Sequence, residues 1–269
     1  MSVFSCYGAL LASFVIASAQ PCDQFDPALR PVVQSVMQSQ AAYLVINEDH
    51  DVDDHRVISA CLLEHVSSVR SVAFGAEALP MGEFSPADGG ARHGFLATSG
   101  FGRILEVVER RALLAFGYDP PRDERLTDVE LRERSLITRI PNRRDRRAAE
   151  IIEERRRHER DVLIFLHVGH SHVSERWTSL PNGDHGWLAA HLAVLSDTDP
   201  VTVYQMTADE AAWYERRSRF VFDQAACERP SEQATLLDLR EGAVGCVDRD
   251  RLQSGHDTDF ILLDTRSQN

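Results

Sequence analysis

Short apolar runs alternate along the chain with longer stretches in which apolar positions recur every three or four residues. Leu29, Val32, Val33, Val36 and Met37 place a helix over 27–40, and Leu44, Val45 and Ile46 form a strand directly after it. Val57, Ile58, Cys61, Leu62 and His65 share one face of a helix over 53–66, which Asp53 or Asp54 can cap. Strands are expected over 71–78, 113–118, 161–168, 201–206, 235–239 and 260–263. Helices are expected over 101–112, 143–159, 184–195 and 208–217. The segment 80–100 is rich in Gly, Pro and small residues and reads as a long loop. Strands alternating with helices predict an α/β fold with a mostly parallel or mixed central sheet flanked by helices.

Two of the most apolar strands end in histidine motifs. Asn47-Glu48-Asp49-His50 follows the first, and Gly169-His170-Ser171-His172 follows the strand over 161–168. Ligands of open α/β sheets bind in the crevice outside the carboxyl ends of the strands, so these two ends can converge on one polar site. Glu48 and His50 are two apart and would share a face of a continuing strand. A carboxylate beside an imidazole orients the ring and raises its basicity. His167, His170 and His172 lie within six residues, a cluster suited to proton transfer or metal ligation. Glu77 closes an otherwise apolar strand, and Arg144, Asp145 and Arg146 open a charged helix. Each alone also fits a polar turn or a solvated helix face.

Composition narrows the function classes. The net charge of −13 disfavours nucleic acid and anionic lipid as partners. All 29 basic residues are arginine, which excludes lysine-imine chemistry. No Gly-x-Gly-x-x-Gly, phosphate-binding loop or Gly-x-Ser-x-Gly elbow is present. Residues 1–20 carry no charge, and Ala17-Ser18-Ala19 ends an apolar stretch; this reads as a secretory signal peptide preceding a single α/β domain over 21–269. A helical insertion is expected around 119–160. An exported chain, periplasmic or secreted, would keep Cys22, Cys61, Cys227 and Cys246, an even number that suggests two disulfides. Three connectivities are open; Cys22–Cys61 with Cys227–Cys246 closes the more local loops. The mature chain carries no expected membrane span, and a small molecule or peptide is the expected substrate.

These motifs together resemble the superfamily of erythromycin esterases, ChaN-type haem-binding lipoproteins and TraB/Tiki/GumN proteins. Asn47-Glu48-Asp49-His50 with Asp54-His55-Arg56 is similar to its Gly-Glu-x-His…His-Arg start. Glu77-Ala78-Leu79 resembles its strand with a terminal glutamate, Arg144–Glu150 its Arg-Asp-Arg-x-Met-Ala-Glu helix start, and Gly169-His170-Ser171-His172-Val173 its second histidine motif. Asn47 stands where the family usually has Gly, and Ala148 where it usually has Met. The resemblance implies a pocket of Glu48, His50, Glu77, Arg144 and His172, with His55, Arg146 and His170 near the substrate.

The expected activity is hydrolysis of an ester or amide. His50, oriented by Glu48 or Glu77, would take the proton from water, Arg144 would stabilise the oxyanion, and His172 would hold the carbonyl or protonate the leaving group. A variant has His50, His172 and Glu77 bind a divalent metal that activates the water. The alternative is an exported haem- or iron-binding protein without catalysis, using His167, His170 or His93 as axial ligands.

Overall fold

The computed structural model describes residues 22–85, 94–120, 139–159, 161–175, 177–180, 183–207, 209–210, 235–238 and 258–264. The expected signal peptide, His93, Cys227, Cys246 and most of the helix expected over 208–217 lie outside the described residues.

The strands are β1 (Tyr43–Glu48), β2 (Val72–Phe84), β3 (Leu114–Gly117), β4 (Leu163–Gly169), β5 (Trp177–Leu180), β6 (Gly183–Gly186), β7 (Val201–Thr207), β8 (Thr235–Asp238) and β9 (Phe260–Asp264). The helices are α1 (Asp26–Ser39), α2 (Asp53–Val69), α3 (Ser99–Arg110), α4 (Arg139–His158) and α5 (Leu188–Ser196). Seven strands form one sheet in the order β3-β2-β4-β1-β7-β9-β8. Six run parallel and β8 closes one edge antiparallel to β9. The α/β architecture with a mainly parallel sheet is therefore as the apolar pattern indicated.

Alternation along the strands builds two apolar layers. Leu44, Ile46, Phe74, Phe165, Val203 and Leu262 pack under α1, α2 and α3. Tyr43, Val45, Ile164, Leu166, Tyr204 and Ile261 pack under α4 and α5. The two central strands send their connections in opposite directions on opposite faces: β1 continues through α2 to β2, and β4 through α5 to β7. This is the arrangement that opens a crevice at the strand carboxyl ends.

Three local features differ from the expectations. The loop expected over 80–100 begins as strand, because β2 extends to Phe84. Past Ala76 it doubles back, so that Glu83 meets Phe116 and Phe84 meets Ala115, covering backbone groups of β3. Gly82, at φ 99°, supplies the backbone freedom for the reversal. The helix expected from 184 starts at Leu188; residues 183–186 instead pair with β5 in a two-stranded ribbon, for which Asn182-Gly183 is the sequence signal. Neither Asp53 nor Asp54 caps α2, whose N-cap is Val52. Asp53 instead braces the first turn of α3, accepting from Ser99 Oγ (2.5 Å) and Gly100 N (2.9 Å) beside the Thr98 N-cap. Helix α4 is the crossover helix between β3 and β4, packing Ala148, Ala149 and Ile152 on the sheet; residues 121–138 of the expected insertion lie outside the described residues.

Cys22 and Cys61 form a disulfide that ties the start of α1 to the middle of α2. No helix among the described residues is long and apolar enough to cross a membrane.

Candidate active site

Strand parity decides which side each strand-end group takes. Glu48 continues the face of Leu44 and Ile46, toward α2, where it is buried at 3% exposure. Its Oε2 accepts from Arg56 Nε of α2 at 2.5 Å. The same guanidinium donates to the His50 carbonyl (2.9 Å) and to Asp53 Oδ1 (3.2 Å). Glu48 Oε1 stands 2.9 Å from His50 Nδ1. The imidazole of His50 is thus held at Nδ1, half-exposed, with Nε2 turned to the crevice. Removing Arg56 would leave Glu48 buried without its cation, a change that costs about 3–5 kcal/mol.

A second dyad comes from the opposite face. The turn after β4 (His170–Val173) brings His172 against α4, where its Nδ1 lies 2.8 Å from Asp145 Oδ1. Trp187 packs edge-on against the ring at 5.6 Å. Burial alone would lower the pKa of His172, but the hydrogen bond and charge of Asp145 outweigh it and raise the value. Glu77 lies between the dyads, with Oε2 3.9 Å from His172 Nε2. It accepts from Gly169 N at 3.1 Å and from Arg144 Nη2. Burial pushes Glu77 upward, yet His172, Arg144 and the Gly169 amide together hold its carboxyl below the usual range.

Gly169 is the point of convergence. A methyl added there would stand 3.1 Å from Glu77 Oε2 and 3.4 Å from both Nε2 and Cε1 of His50. The missing side chain lets an imidazole from β1 and a carboxylate from β2 approach over the end of β4. Glu48, His50, Glu77, Arg144 and His172 are accordingly all brought together. Arg144 is engaged by two carboxylates: its Nε donates to Asp119 Oδ1 at 2.8 Å while Nη2 holds Glu77.

The three residues that the resemblance puts near a substrate take different positions. His55 is fully buried, its Nδ1 accepting from Asp49 N at 3.0 Å, so it shapes the turn. Arg146 points to solvent and pairs with Glu150 on the outer side of α4. His170 lies toward β7, 2.9 Å from the Tyr204 hydroxyl and 3.5 Å from Glu210. His167 is buried beneath the site, 3.6 Å from Glu48 Oε2 and edge-on to Phe101; burial lowers its pKa. Arg56 and Asp145 are site residues to which the sequence reading gave no role. The signal for Arg56 was a charged residue on the apolar face of α2, and for Asp145 its place beside Arg144.

Two histidines and a carboxylate have the chemistry of a zinc set. The arrangement does not fit one: a guanidinium and a backbone amide already hold the two oxygens of Glu77. Among the described residues no group of three or more His, Cys, Asp or Glu is disposed to hold a metal ion. Of the expected haem ligands among the described residues, His167 is enclosed and His170 packs on Tyr204.

No family model matches the chain, and no curated protein matches it. Among solved structures it is similar to the crystal structure of RRSP, a MARTX toxin effector domain from Vibrio vulnificus CMCP6, at 16% identity and a TM-score of 0.42. The match covers 67% of this chain and 38% of that one, a likeness that carries no argument about function.

Proposed function

We propose that the protein is a hydrolase of ester or amide bonds, in which the two histidine–carboxylate dyads activate water and protonate the leaving group. The observation that carries this reading is the convergence over Gly169 of His50 Nε2 and Glu77 Oε2, with His172 Nε2 on the far side of Glu77. His50, held at Nδ1 by Glu48, takes a proton from water at Nε2. The hydroxide adds to the substrate carbonyl carbon. His172, whose protonated form the Asp145 hydrogen bond and charge favour, donates its Nε2–H to the developing oxyanion and then gives the proton to the leaving oxygen or nitrogen as that bond breaks. Glu77 remains ionised and favours the cationic form of His172. Arg144 keeps Glu77 in place, and the oxyanion falls to His172. The resemblance to erythromycin esterase and ChaN-type sequences points to the same residues.

The reading is tested by offering the purified protein a panel of p-nitrophenyl esters and peptide anilides. Hydrolysis is expected in the native chain and absent in His50→Ala. Equal turnover by both proteins would overturn it.

A further inference from the structure

The ladder between β1 and β7 stops early. Its backbone partners run from Leu44↔Val201 to Ile46↔Val203, although β1 continues to Glu48 and β7 to Thr207. On the outer sides, β1 stays paired to β4 through Glu48↔Gly169, and β7 to β9 through Thr207↔Asp264. The sheet therefore parts between its two central halves one residue before Glu48.

Two side-chain amides span this gap reciprocally. The Asn47 carboxamide accepts from Gln205 N and donates to Gln205 O (3.3 Å). The Gln205 carboxamide donates to Asn47 O and to Ser59 Oγ (3.1 Å) of α2. Asn47, Gln205 and Ser59 are all buried, at 0%, 1% and 0% exposure. Hydrogen bonds in so dry a setting are costly to leave unmade and so fix geometry.

We propose that Asn47 and Gln205 are positioning residues that act through Glu48 on His50. They hold the end of β1 on its β7 side, where the ladder to β7 no longer does, and so help set the direction of the next side chain, the carboxylate that orients the His50 ring. The clamp rests on the Glu48–His50 reading given above for its meaning in catalysis, but its geometry is independent of the substrate.

The test uses the full chain labelled with ¹⁵N-histidine, with p-nitrophenyl acetate as the probe ester. Long-range ¹H–¹⁵N correlation reports which ring nitrogen of His50 carries the proton, the signal being assigned by its loss in His50→Ala. The native chain is expected to hold one tautomer, protonated at Nδ1 toward Glu48. In Asn47→Gly, and in Gln205→Met, which keeps length and deletes the amide, that single signature is expected to become a mixture. The kcat is expected to fall by roughly 10- to 100-fold with little change in KM, as small misplacements of a reacting group do. If either variant fails to fold, the other decides. A native tautomer signature and native kcat in the folded variants, with only a lowered unfolding midpoint, would make the amides purely structural and overturn the proposal. Retained hydrolysis in His50→Ala would instead sink the hydrolase reading, while the tautomer result still judges the clamp.

Discussion

Asp145 Oδ1 lies 2.8 Å from His172 Nδ1 and mirrors, from the other face of the sheet, the 2.9 Å contact between Glu48 Oε1 and His50 Nδ1. Each ring is therefore fixed at Nδ1; Nε2 of His172 lies 3.9 Å from Glu77 Oε2, and Nε2 of His50 stands over Gly169. The dyads differ in exposure: the His50 side chain is 47% exposed and that of His172 15%. An accessible ring suits exchange of protons with solvent, and an enclosed one suits retention of a proton until a leaving group needs it.

Replacement of Asp145 by Asn should cost catalysis about 10²-fold or more, the scale seen when an orienting carboxylate is lost. Asp145 is what raises the pKa of His172, so in Asp145→Asn that value falls and the alkaline limb of the kcat profile moves to lower pH. A kcat–pH profile of the two proteins checks this. An unchanged alkaline limb would remove His172 from the role of acid.

What the sequence made legible has a physical boundary. Glu48, Glu77 and His172 can be read because a short continuous apolar run fixes where a strand buried on both faces stops, and strand ends define the crevice. Arg56 and Asp145 act through the approach of α2 and α4 to the sheet, a tertiary relation that no local spacing encodes. Arg146 was misplaced for a helical reason. With 3.6 residues per turn, two positions carry the chain from Arg144, facing Glu77, round to solvent. His55 is put near the substrate only by the resemblance of its His-Arg motif; in the fold it is buried and its Nδ1 accepts from Asp49 N, which holds a turn. The reversal of β2 at Gly82 was hidden because a glycine-rich strand reads locally as loop.

His50→Ala should separate function from stability. The ring is half-exposed and lies on a loop, so the unfolding midpoint should shift by less than about 1 kcal/mol in equivalent free energy, as for most surface substitutions. Hydrolysis should fall by roughly 10²- to 10⁴-fold, the contribution of a positioned base. Thermal unfolding and initial rates on one preparation give both numbers, and a large loss of stability would mean that the ring is structural.

The charges around Glu77 predict a pH dependence of stability with opposite signs for Glu77 and for its partner His172. Glu77 has a folded pKa below its unfolded value near 4.5, so its contribution is present above that value and is lost as pH falls through the folded one. His172 has a folded pKa above its unfolded value near 6.5, so its contribution is complete below that pH and is lost as pH rises through the folded one. Urea midpoints should therefore fall on both sides of a plateau between about 4.5 and 6.5. Glu77→Gln should flatten the acid side and His172→Gln the alkaline side. Midpoints that keep their native pH dependence in both variants would show that these groups do not set it.

The Cys22–Cys61 bridge joins residues 39 apart, a loop whose closure in the unfolded chain corresponds to about 4 kcal/mol in the chain-entropy description. Cys61 is buried on α2 two turns beyond Asp53, on the side that packs against α1. Arg56, which holds Glu48, lies on the same helix nearer its start. Reduction should accordingly lower the urea midpoint in proportion to several kcal/mol while leaving kcat nearly unchanged in protein that remains folded, because the Glu48–Arg56–His50 contacts do not involve the bridge. Unfolding curves with and without reductant, with rates measured below the transition, test the separation. A kcat that collapses on reduction of still-folded protein would mean that α1 and the bridge hold α2 in the register on which Arg56 and the first dyad depend.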